Sequence, residues 1–64
     1  MVSTMHQDTH GDLMVIYHKK DGVYIDGRFD GNDNPAWRGI FTPMQARLIA
    51  ERLNMIADIM EGKQ

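Results

Sequence analysis

The chain has 64 residues, seven Lys and Arg against nine Asp and Glu, a formal net charge of -2 and no Cys. A single domain of this size buries only about 60% of its unfolded surface and is marginal without a staple; with disulfides and thiolate zinc sites excluded, oligomerisation is the staple left. The charge is too small for a field that recruits polyanions, no apolar run approaches the roughly 18 residues of a membrane span, and no basic segment followed by an apolar one marks a secretory signal, so the expectation is a cytoplasmic protein away from membranes.

Residues 1–12 are polar and lack periodicity, which predicts a flexible arm ahead of one domain over residues 13–62. Within the arm, His6, Asp8 and His10 recur at every second position, with Asp12 as a possible fourth ligand, so an extended backbone would gather a two-histidine, one-carboxylate set. Nothing in such an arm would hold the rings, and a solvated tail without metal is expected.

Leu13 to His18 and Val23 to Phe29 alternate as two strands joined around Lys20-Asp21-Gly22. A three-residue loop with Gly22 in the left-handed position of a bulge pairs Tyr17 with Ile25 and Leu13 with Phe29, placing the two better apolar sets on one face. A two- or four-residue loop would set Met14, Ile16 and His18 beside Val23 and Ile25, burying His18 and less apolar area, so the bulged hairpin is expected. Asp30 to Pro35 is dense in turn formers. Its oxygen ligands at alternate positions resemble the start of a calcium loop, but Pro35 and Phe41 stand where the Gly and the bidentate Glu are needed.

Ala36 to Phe41 fits a third strand, with Trp37 and Phe41 inward and Arg38 and Ile40 outward. The outer sheet face would then carry Met14, Ile16, His18, Tyr24, Asp26, Arg28, Arg38 and Ile40. Lys19, Lys20, Arg28 and Arg38 beside Tyr24 make a basic edge with one aromatic, the minimum of a base-stacking platform, although Asp21 and Asp26 sit among them.

Thr42, Pro43 and Gln45 supply an N-cap, a first-turn proline and the distal member of a capping box. From there Ala46, Ile49, Leu53, Ile56, Ala57 and Met60 fall on one helical face, enough to cover a sheet. Met44, Leu48, Met55 and Ile59 form a second apolar row beside it. Gly62 marks the stop. The predicted fold is therefore α+β, an antiparallel meander of two to three strands followed by one long C-terminal helix packed on one sheet face, with the second row free for a homodimer interface.

The segment Thr42-Pro43-Met44-Gln45-Ala46-Arg47-Leu48-Ile49-Ala50-Glu51-Arg52-Leu53 resembles the C-terminal helix of many short bacterial and phage-borne proteins. The overall plan is similar to that of small phage-encoded inhibitors such as anti-CRISPR proteins. That resemblance implies a stoichiometric protein that blocks a host nucleoprotein complex sterically. Ser, Thr, Tyr and Lys residues occur without a motif that places a base beside them, so no enzyme and no cofactor is expected. The residues expected to grip a protein partner are Met14, Ile16, Tyr24, Arg28, Trp37 and Arg38, types enriched at binding hot spots or exposed on the outer face. A small nucleic-acid-binding or regulatory protein using the basic edge is the alternative.

Overall fold

A computed structural model describes residues 2–63 of the chain. Four strands precede one helix: β1 (Ser3–Gln7), β2 (Leu13–Lys19), β3 (Gly22–Arg28), β4 (Trp37–Phe41) and α1 (Pro43–Met60). The strands pair antiparallel in chain order, so the fold is α+β, with one more strand than the two to three expected.

The additional strand comes from the segment read as an arm; only Met1 of it lies outside the described residues. Every residue of β1 is exposed, so it carries no buried-face alternation that a sequence could show. Its order comes from backbone pairing with β2 and from the turn that follows. The Asp8 carboxylate accepts from the backbone N–H of His10 at 2.8 Å and of Asp12 at 3.0 Å, folding the chain back on itself.

The β2–β3 hairpin adopts the register that apolar counting disfavoured. Lys19 faces Gly22, Tyr17 faces Tyr24 and Val15 faces Asp26 across a two-residue loop, rather than Tyr17 facing Ile25. This one-residue shift changes which residues share a face. One side, the tyrosine face, carries Met5, Val15, Tyr17, Tyr24, Asp26, Arg28, Arg38 and Ile40; the other, the tryptophan face, carries His6, Met14, Ile16, Val23, Ile25, Trp37 and Phe41. The buried residues are Val15, Tyr24 and Asp26, all on the tyrosine face. The competing register loses because it would turn Tyr17 away from Asp26, to which its hydroxyl donates at 3.1 Å.

Gly22 is required where it stands. Its φ of 156° lies at the margin of the glycine-favouring region, and a Cβ there would sit 2.8 Å from the backbone oxygen of Phe41. β4 can approach the hairpin end only because that Cβ is missing.

The helix begins and ends as its sequence dictates. Gln45 N–H donates to Thr42 Oγ1 at 3.1 Å while Thr42 N–H donates to Gln45 Oε1 at 2.9 Å, a reciprocal capping box. At the other end Gly62 has φ 78°, Gly62 N–H donates to the Ile59 carbonyl and Lys63 N–H to the Asp58 carbonyl, the paired bonds of a Schellman stop. Between these ends the helix does not do what was expected of it. It touches only β3 and β4, Ala46 and Ile49 are half-buried, and none of its residues is buried. The stripe Leu53, Ile56, Met60, expected to cover the sheet, is exposed, with Ile56 at 58% and Met60 at 83%.

The overall dimensions show the same thing. The radius of gyration is 13.3 Å, against about 11 Å for a compact chain of this length. The accessible surface is 5416 Å², roughly 1,200 Å² more than the size scaling gives for a folded monomer of this mass.

Gly22→Ala should destabilise the sheet by at least about 1 kcal/mol, read as a lower denaturation midpoint in urea with an unchanged slope. A neutral or stabilising result would show that β4 does not approach the hairpin this closely.

Candidate functional site

The tyrosine face is organised around a single carboxylate. Asp26 has no accessible surface, and its two oxygens accept four hydrogen bonds: from Tyr17 Oη at 3.1 Å, Arg28 Nη2 at 3.2 Å, Arg38 Nε at 2.8 Å and Arg38 Nη2 at 3.1 Å. Four is about the number of lone-pair sites a carboxylate has, so the group is saturated. Arg38 is bidentate, the strongest form of such a pair. Tyr17 and Tyr24 stack with ring centroids 5.1 Å apart, Lys19 Nζ lies 5.1 Å and Arg38 Cζ 5.9 Å from the Tyr24 ring centroid, and Tyr24 Oη donates to Asp21. The two strand-borne arginines and the lysine are therefore bound within this cluster. One cost is Arg28 Nε, a buried donor that has no partner among the described residues.

Electrostatics follow from the bonding. The Arg38 guanidinium, with help from Arg28 and Tyr17 and against the effect of burial, lowers the Asp26 carboxyl to about 2. Arg38 is held charged by the same contact. Burial and the bond to Asp26 push the Tyr17 phenol up, and the bond to Asp21 does the same for Tyr24. All of these shifts favour the protonation states already present at neutral pH. With no access to Asp26 and no unused acceptor on it, the cluster is a structural clamp rather than an acid–base device.

The tryptophan face ends in an apolar cleft of about 520 Å³ between the β1–β2 turn and the start of β4, with Leu13, Met14, Phe29, Ala36 and Trp37 among its walls. Trp37 is 55% exposed, although the strand pattern assigned it inward. Gly27 forms the floor, since a Cβ there would already touch the Trp37 ring at 3.9 Å. The carboxylates at the rim are committed, Asp8 to its turn and Asp12 to the Asp30 backbone N–H at 3.3 Å. What the cleft offers is an apolar, aromatic-edged seat.

Several expected groupings come apart. Met14, Ile16 and Trp37 lie on the tryptophan face while Tyr24, Arg28 and Arg38 lie on the tyrosine face, so the partner-binding set is not one surface. Tyr24 is only 7% exposed and cannot present a ring to a partner or to a base. Met44, Leu48, Met55 and Ile59 are all exposed along the helix, as expected of that row, but Leu53, Ile56 and Met60 are exposed with them. His6, Asp8 and His10 are not gathered: His6 lies in β1 beside Thr4 Oγ1, whereas His10 lies in the turn that Asp8 builds. Among the described residues no group of three His, Asp or Glu side chains is placed to hold a metal ion, and no helix is long and apolar enough to cross a membrane. The bonding of Asp26 to Tyr17 and Arg38 was not foreseen from the sequence. The one available signal was an Asp at alternate spacing from Arg28, opposite a strand bearing Arg38.

In the unfolded chain a carboxyl protonates near pH 4, whereas folded Asp26 stays ionised to about pH 2. Its stabilisation is therefore complete above about pH 5 and is lost as the pH falls from there toward 2. At one fixed protein concentration, Asp26→Asn should be less stable than wild type at pH 7 by on the order of 2 kcal/mol, and that gap should shrink between pH 5 and pH 2. A gap independent of pH in urea titrations would separate Asp26 from the acid sensitivity of the fold.

Comparison with models of protein families, with curated proteins and with solved structures returned no match, so no residue here takes a role from a relative and the functional reading rests on the surfaces themselves.

Proposed function

We propose that the protein is a non-enzymatic protein-binding module that works through its C-terminal helix, and that its first partner is another copy of itself. The observation that carries this reading is an 18-residue helix with no buried residue. An isolated helix of that length is only marginally stable in water, and most helical stability in proteins comes from packing an apolar face. Here that face runs from Met44 and Leu48 through Leu53, Met55, Ile56, Ile59 and Met60, all exposed. The two apolar rows flank Gln45 and Arg52 and together leave more exposed apolar surface than a solvated helix needs.

The role of a phage-type inhibitor, occupying a host nucleoprotein complex, is the narrower form of this reading. It is supported by the small size and the plan of the chain, and no residue is assigned to it. The nucleic-acid alternative has less behind it, because Tyr24 is buried and Arg28 and Arg38 are bound to Asp26. A sheet platform needs exposed rings and free cations.

Light scattering on a sizing column tests self-association through the helix. Wild type at tens of micromolar should run at about twice its 7.4 kDa, and Leu48→Glu with Ile59→Glu should run at the monomer mass with reduced helical circular dichroism. A wild type that stays monomeric with a full helical signal at every concentration would overturn self-association through the helix.

A further inference from the structure

The helix stripe expected to pack on the chain's own sheet is uncovered, and so is a cleft that joins Phe29 and Trp37, expected beneath the helix, with Met14, expected on the opposite face. Leu53, Ile56 and Met60 form one half of a core; Met14, Phe29 and Trp37 form the other. The two halves stand apart. β4 runs from Trp37 to Phe41 and the helix leaves just beyond Phe41, so the helix root and the cleft lie at opposite ends of the strand. A helix turning back along β4 would reach about 27 Å, more than the roughly 17 Å of a five-residue strand, and would cover Trp37. Trp37 and Ile56 are both more than half exposed, so the helix does not lie over its own cleft.

We propose that the end of the helix, Leu53 to Met60, seats in the Met14, Phe29, Trp37 cleft of a second copy, and that the second copy's helix returns the contact about a two-fold axis. This arrangement rests on the reading of the helix as a protein-contact surface and names both the occupant and the seat. Two-fold symmetry makes the exchange closed: each chain supplies one helix end and one cleft, and no third copy can add. The area fits. The excess exposed surface of roughly 1,200 Å² per chain exceeds the about 800 Å² per partner that a standard stable interface buries. The chemistry fits as well, because a cleft whose carboxylates are already bonded to turn backbone suits Leu, Ile and Met side chains rather than a charged ligand.

Complementation tests it. Ile56→Glu spoils the helix end and leaves the cleft intact; Trp37→Ala spoils the cleft and leaves the helix end intact, and Phe29→Ala repeats the cleft defect at a more exposed position in case Trp37→Ala unfolds. Each variant alone should associate at least tenfold more weakly than wild type by sedimentation equilibrium. An equimolar mixture of Ile56→Glu with either cleft variant should recover dimer at a total concentration where neither alone forms it, because the heterodimer keeps one intact helix–cleft contact. Emission from Trp37, the one tryptophan, should be blue-shifted in wild-type dimer and red-shifted in Ile56→Glu. If the cleft variants dimerise like wild type while Ile56→Glu does not, or if mixing restores nothing, the exchange is wrong and the helices meet elsewhere. If Ile56→Glu also leaves the mass unchanged, the helix is not the contact surface at all.

Discussion

One ionised carboxylate with no water around it fixes the geometry of the sheet. Asp26 on β3 binds Tyr17 from β2, Arg38 from β4 and Arg28 from its own strand. Three strands are thereby tied at one level. Removing a charge from water costs several kcal/mol unless its bonds are complete and well directed, and only the observed register completes all four. Slipping β2 against β3 by a single residue would turn Tyr17 to the other face and leave one acceptor site of Asp26 without its donor. The clamp works as a registry device, the best attested use of a buried ion pair, in a sheet whose apolar content alone would tolerate the neighbouring register.

The same clamp explains which parts of the molecule were legible in the sequence. Both helix ends were, because capping and stop signals are local: Thr42, Pro43, Gln45 and Gly62 act on backbone groups within a few residues of themselves. The segments of β2, β3 and β4 and the Asp30–Pro35 loop were legible from equally local patterns. The hairpin register was not, because it depends on the bond from Tyr17 to Asp26 across the strands, and counting apolar residues per face gives that bond no weight. β1 was invisible because its exposed residues have nothing to alternate. The face of the helix was read correctly as apolar, but what covers it is a question of tertiary reach, which periodicity does not address. The expected partner-binding set failed at the same point as the register, since a one-residue slip moves every side chain of a strand to the opposite face.

The burial pattern divides the molecule into a settled part and an unsettled one. The sheet has a closed polar cluster on one face and half-buried Val23, Ile25 and Phe41 on the other. The helix is specified at its ends and left open along its length. Local consistency with one missing tertiary element is what a protomer of an assembly shows, since the conformational entropy of ordering 18 residues is not offset by the contacts they make within the chain. On the proposed dimer, the free energy that completes the fold would depend on protomer concentration and link folding to association.

The meander topology adds a kinetic side to this linkage. Every strand pairs with its neighbour in sequence, so the sheet can grow by successive hairpins with short loops and low contact order, conditions under which domains fold within milliseconds. The proposed docking of the helix on another chain would be bimolecular and would slow with dilution. On the proposed dimer the two events would separate in time: a dilute, newly made chain would pass through a stage with its sheet formed and its helix unplaced, and at that stage the first apolar surface it met would compete with its own kind.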